Sequence, residues 1–161
     1  MSRIRLSIFA IIVLFVLLNI TTALAGERFT DNGDGTITDH QLKLMWSKTD
    51  NNGDIGWKQA TQWTRYTFPD TLQKKYDNWR MPTLKELESL YVKDRDYKGY
   101  ETECGMRVRM VPKIHISCGW IWTSDTKTIT AWIFNFNRGY SYTDRMVHRK
   151  ACRALPVRNL K

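Results

Sequence analysis

The sequence predicts an α+β domain. Three observations carry that reading: a capped amphipathic helix beginning at Thr83, a second helical pattern from Trp57 to about Tyr66, and β-branched and aromatic runs on both sides of these, divided by turn signals. Helices place apolar residues three and four apart, whereas strands alternate or form short apolar runs bounded by Gly, Asn, Asp or Pro.

At the start, Arg3 and Arg5 precede an apolar run from Leu6 to Ile20, and Thr21-Thr22 leads to the small-residue stretch Ala23-Leu24-Ala25. This is the pattern of a secretory signal over residues 1–25, cut before Gly26, with export through the Sec pathway to the periplasm or the exterior. An uncleaved anchor is the rival reading, but 15 residues fall short of the roughly 20 that a membrane span needs. The residue immediately after the cleavage point is Gly26 and not Cys, which argues against a lipid-anchored form. Residues 26–161 then make one ordinary domain that holds all seven Trp, with no low-complexity linker and no internal repeat.

Arg28-Phe29-Thr30, Asp31 to Gly35 and Thr36 to Asp39 read as strand, tight turn and strand, because Asn-Gly and Asp-Gly supply the positive φ that hairpin turns require. The turn has some likeness to a calcium loop. In that register, however, Thr30 and Gln41 fall where Asp and Glu are wanted, and plain turn chemistry explains it better. A second turn at His40 to Lys43 leads to Leu44-Met45-Trp46. Trp57, Ala60 and Trp63 give the first helix its apolar face.

Pro82 prevents an earlier helix start. Thr83 and Glu86 then form a capping box, each side chain bonding the other residue's backbone N–H. Leu84, Leu87, Leu90 and Tyr91 form the core face.

From Cys104 to Cys118, Met106, Val108 and Met110 alternate with Arg107 and Arg109, and beyond Pro112, Ile114 and Ile116 alternate with Lys113 and His115. The pattern predicts a hairpin with Met110-Val111-Pro112 as its loop, Val108 opposite Ile114 and Cys104 opposite Cys118. It would gather Arg107, Arg109, Lys113 and His115 on one face, an arrangement that costs stability unless an anion sits among them. In an oxidising compartment the facing Cys104 and Cys118 form a disulfide. Cys152 is then the odd cysteine, and an inert core thiol is favoured over a reactive one.

Trp120 to Ser124, Ala131 to Phe136, Tyr140 to Tyr142 and a last strand toward Val157 read as sheet. Tyr140 and Tyr142, beside Arg138 and Arg145, are candidates for stacking on sugar rings, with ordinary sheet packing as the plainer reading.

Charge is unevenly spread. Gly26 to Glu103 holds 12 Lys/Arg against 14 Asp/Glu, whereas Cys104 to Lys161 holds 11 against 2. Such asymmetry in an exported protein points to anionic polysaccharide or a cell-surface polymer rather than nucleic acid. The plainer reading is a solubilising charge that acidic neighbours neutralise on folding. His40, His115 and His148 lack metal-ligand spacing, and no paired-carboxylate, Ser-His-Asp or phosphate-loop pattern is present. No cofactor is called for.

Arg28 to Thr36, Leu44-Met45-Trp46, Trp79 to Leu87, Trp122-Thr123-Ser124 and Ala131-Trp132 together resemble the Lcl C-terminal domain family, in the family's order and over nearly the whole mature chain. The resemblance implies a C-type lectin-like fold, two helices against twisted antiparallel sheets. It also implies an exported bacterial protein, since the best-known member is an adhesin that binds sulfated glycosaminoglycans. Relatives carry a Cys about where this chain has Thr64, so the partner that the resemblance would give Cys152 is missing.

Arg80 to Glu86 also resembles a segment of formylglycine-generating enzymes, whose activity requires a copper-binding Cys pair. Here Cys104 and Cys118 are read as a bridge instead. The expected function is an exported, non-catalytic binding module for anionic glycan or surface polymer. Its candidate residues are Arg107, Arg109, Lys113, His115, Arg138, Tyr140, Tyr142 and Arg145. A structural or protein-interaction domain of the cell envelope is the alternative, with an enzyme of the formylglycine-generating type behind it.

Overall fold

The computed structural model describes residues 27–160. The signal read at residues 1–25 lies outside the described residues. The domain is α+β, with three sheets and two helical regions among the described residues.

The first sheet has the order β1-β2-β3-β10. Strands β1 (Phe29–Asp31), β2 (Thr36–Asp39) and β3 (Leu44–Ser47) form the expected meander. Asp31 caps its first turn by accepting from the Gly33 N–H at 3.0 Å, with Gly33 at φ 76°. The buried Asp39 carboxylate fixes the second turn, accepting from the N–H groups of Gln41 and Leu42 and pairing with Arg28 at 2.7 Å. Strand β10 (Val157–Asn159) returns from the chain's end to pair antiparallel with β3, Val157 opposite Trp46.

The first helical region runs further than Tyr66. Helix α1 (Trp57–Gln62) passes into a π-helical turn (Trp63–Thr67) and then α2 (Phe68–Thr71). The Phe68 N–H reaches back five residues to the Trp63 carbonyl. The widening falls where Pro69 has no N–H to give and its ring would crowd the Arg65 carbonyl in a regular α-helix.

Helix α3 (Leu84–Glu88) begins at the predicted capping box: the Glu86 N–H donates to Thr83 Oγ1 at 3.3 Å, and the Thr83 N–H donates to Glu86 Oε2 at 2.7 Å. The carboxylate of Asp125, arriving from the opposite sheet, takes the Leu84 N–H at 2.6 Å.

That sheet has the order β8-β7-β6-β9. Strands β6 (Trp120–Lys127), β7 (Thr130–Asn135) and β8 (Tyr140–Arg145) are antiparallel, β9 (Cys152–Arg153) runs parallel to β6, and β8 is left at an edge. Trp46, Leu87, Leu90, Ile114, Ile116, Ile121 and Phe136 fill the core between the two large sheets. Met81, Trp122, Ile133 and Cys152 pack under α1 in a second cluster.

The hairpin expected over residues 104–118 is not formed. Strand β5 (Arg107–Val108) pairs instead with β4 (Tyr100–Glu101), Tyr100 opposite Val108. Beyond it the chain is shared among distant partners. The Val92 N–H donates to Arg109 O at 2.8 Å, the Val111 N–H to Leu90 O at 3.0 Å and the His115 N–H to Lys48 O at 2.9 Å. Alternation tells which residues share a face, and Val108, Met110, Ile114 and Ile116 are indeed all buried. It does not tell which strand lies alongside.

The disulfide is formed despite the different pairing. Cys104 and Cys118 are bonded with their Cα atoms 5.3 Å apart, and the Cys104 N–H donates to Ser117 O. Cys152 is free and buried, and burial pushes its thiol up to about 12.

Candidate anion-binding surface

Folding answers much of the positive charge of the last third with carboxylates from earlier in the chain. Arg153 meets Asp54 at 2.7 Å, Arg158 meets Asp77 at 3.4 Å, Lys113 meets Glu27 at 2.9 Å, and Arg107 approaches Glu101 at 4.0 Å. His115 Nε2 lies 2.9 Å from Glu103 Oε1, a hydrogen bond that draws the Glu103 carboxyl below its ordinary value. The His115 ring also stacks on Tyr100.

The expected cluster of Arg107, Arg109, Lys113 and His115 on one ribbon face is therefore corrected. Without the hairpin, Lys113 and His115 turn to acidic partners of their own. Arg107 and Arg109 remain neighbours.

These two arginines line a depression of about 310 Å³ together with Arg95, Tyr97, Lys98 and Asn137. The wall is held by backbone acceptors. Arg109 donates through Nε to Val92 O at 3.0 Å and through Nη2 to Asp94 O, and its guanidinium lies over the Tyr91 ring. Asn137 Nδ2 donates to Arg107 O at 2.6 Å, and Tyr97 donates its hydroxyl proton to Met110 O at 2.8 Å. Carbonyl acceptors orient a guanidinium without cancelling its charge. Asp94 and Asp96 flank Arg95 in the chain, so the local excess is modest.

Asn137 opens the turn into β8, followed by the exposed Arg138 and by Gly139. Gly139 is required there: its φ is 73°, and a Cβ would lie 2.5 Å from the Tyr91 ring. The turn delivers Tyr140 and Tyr142 onto the edge strand with ring centroids 5.9 Å apart, and Tyr142 meets Trp120 edge-on. Burial pushes the Tyr142 phenol above its ordinary value, so this ring stays uncharged at neutral pH.

Strand β8 ends at Arg145, and six residues carry it about 20 Å. Beyond that end, Lys58 and Arg149 line a shallow hollow with Met146 and Val147, while Lys127 ends β6 next to β7. Among the described residues Lys58, Lys127, Arg138, Arg145, Arg149 and Lys150 have no carboxylate partner within ion-pair distance. The nearby Asp144 is held by His148 at 2.9 Å. Ile129 and Val147, 69% and 81% exposed, stand among these cations, with the Met146 N–H bonded to Ile129 O.

Of the residues read from sequence, Arg107, Arg109, Arg138, Tyr140, Tyr142 and Arg145 follow β8 and its leading turn, while Lys113 and His115 pair with acids elsewhere. Sequence reasoning missed Lys58, Arg95, Lys98 and Lys127, which come from scattered segments. Arg149 and Lys150 were missed as well, although their closeness in the chain to Arg145 and His148 was a signal that could have found them. Residues 35–158 match the Lcl C-terminal domain.

Proposed function

The chain belongs to the Lcl C-terminal domain family, and from that premise we propose that it is an exported, non-catalytic module that binds an anionic polysaccharide or surface polymer along β8. The observation that carries this reading is the set of unpaired cations at both ends of an edge strand whose first half presents Tyr140 and Tyr142. A flexible polyanion can meet both ends at once, with the aromatic strip offering faces to sugar C–H groups between them. We also infer a C-type lectin-like fold. Two helical regions against antiparallel sheets, with the last strand returned beside the first meander, support it.

A glycan array probed at two salt concentrations tests the function. Sulfated or uronic polysaccharides should be retained at low salt and released as the charges are screened. Retention of neutral glycans alone, or of none, would overturn the proposal.

A second reading, a protein-interaction domain of the cell envelope, is favoured by Ile129 and Val147. Both are large aliphatic side chains left exposed on an otherwise polar rim. A pull-down from envelope extract that fails with Ile129→Ser and Val147→Ser, while polyanion retention persists, would favour it.

A further inference from the structure

A separate cleft of about 320 Å³ opens between α1 and the start of α3 and is lined by Trp57, Thr61, Arg65, Arg80, Met81, Thr83 and Ser124. Its size is at the lower end of the roughly 300–1,000 Å³ typical of small-molecule sites, enough for one ring-sized unit and not for a chain.

Each lining group has a definite spare capacity. The indole N–H of Trp57 is spent on Thr123 O at 2.8 Å, so this ring offers only carbon to the cleft, beside Met81. Arg80 is neutralised by Glu86, through bonds of 2.8 and 2.7 Å, and donates further to Asn159. Arg65 is exposed and has no carboxylate partner among the described residues, which makes it the uncompensated charge of the cleft. It sits on the π-helical turn, a departure from α-geometry that recurs at functional sites.

Each hydroxyl keeps acceptor capacity. Thr61 gives its proton to Trp57 O and keeps acceptor capacity. Thr83 accepts from the Glu86 N–H and its hydroxyl also bonds the Glu86 carboxylate, which leaves it acceptor capacity alone. Ser124, exposed, bonds through its backbone N–H to Pro82 O and keeps its hydroxyl.

We propose that this cleft binds a single pyranose bearing one acid group, its C–H face on Trp57 and Met81, its hydroxyls on Thr61, Thr83 and Ser124, and its carboxylate on Arg65. A ligand with an apolar face, several hydroxyls and one negative charge is the class that satisfies every one of these groups. The inference stands whether or not a polymer follows β8, because the two sets of residues do not overlap.

The test is a titration of the protein with methyl glucuronide, methyl glucoside and benzoate, followed by the NMR signals of the Trp57 indole N–H and the Thr83 and Ser124 amides. Methyl glucuronide should shift them saturably with a Kd on the order of 1 mM. Methyl glucoside, and methyl glucuronide with the Arg65→Gln variant, should bind about tenfold more weakly. Arg65 makes no structural contact that its replacement would break, and an otherwise unchanged spectrum verifies the fold. Absence of a saturable shift, equal binding by Arg65→Gln, or benzoate binding as tightly as the glucuronide would overturn the proposal. Polyanion retention is read separately and does not enter this result.

Discussion

Arg80 grips Glu86 through both terminal nitrogens, at 2.8 and 2.7 Å, while the same carboxylate takes the Thr83 N–H at 2.7 Å. One carboxylate thus closes the capping box of α3 and ties the helix start to the chain segment before it. Burial alone would raise the Glu86 carboxyl, but the hydrogen bonds from Arg80 and Thr83 outweigh it and hold the group below its ordinary 4.5.

A carboxyl depressed by folding contributes stability that is present above its unfolded value and is lost as pH falls through its folded value. The protein should therefore lose stability progressively below about pH 4.5, with Asp31, Asp54 and Glu103, also lowered, contributing in the same direction. Glu86→Gln keeps a capping side chain and removes the ion pair. It should lower stability by about 1 kcal/mol at pH 7, a figure discounted because Arg80 is partly exposed. Its acid dependence should be shallower than that of the wild type. Urea midpoints measured from pH 7 to pH 3 check both statements.

Removal of the Cys104–Cys118 bond should cost on the order of 3 kcal/mol, because it releases a loop of about fifteen residues in the unfolded chain. Cys152, buried and with its thiol pushed up to about 12, should resist a thiol reagent at neutral pH until the protein is unfolded. Urea midpoints with and without reductant read the first, and mass spectrometry of the unreduced protein, treated with the reagent before and after denaturant, reads the second. A Cys152 bridge to either other cysteine would refute the pairing.

Gly139→Ala should destabilise the domain by about 1–3 kcal/mol, since alanine is strained at φ 73° and its methyl would collide with Tyr91. The effect should extend to the turn carrying Arg138 and Tyr140. Thermal unfolding together with the NMR signals of these two residues would register it. An unchanged midpoint would mean that the turn is not held as described.

The helical starts and the β1–β3 meander were legible because their signals are local: a capping box needs four residues and an Asp-Gly turn needs two. The partner of residues 107–116 was not. Val108 and Ile114 alternate as hairpin residues should, yet the backbone around them bonds to Tyr100, Leu90, Phe136 and Lys48, choices made by tertiary packing. The candidate surface was half visible for the same reason. Arg145 was picked out beside the tyrosines, whereas Lys58 and Lys127 join it only after folding, and Lys113 and His115 leave the set because Glu27 and Glu103 reach them. The π-helical turn at Arg65 leaves no periodicity that a sequence pattern would catch.

Retention on a heparin column, eluted with rising salt at pH 7, tests the central claim most directly. The variant Arg138→Ala/Arg145→Ala/Arg149→Ala/Lys150→Ala should elute at clearly lower salt than the wild type, because it removes charges that have no carboxylate within ion-pair distance. Lys113→Ala/His115→Ala should elute with the wild type, because those groups are already paired. Wild-type retention by the fourfold variant, or an equal loss in the Lys113/His115 variant, would contradict the assignment of β8 and its flanks as the polyanion surface.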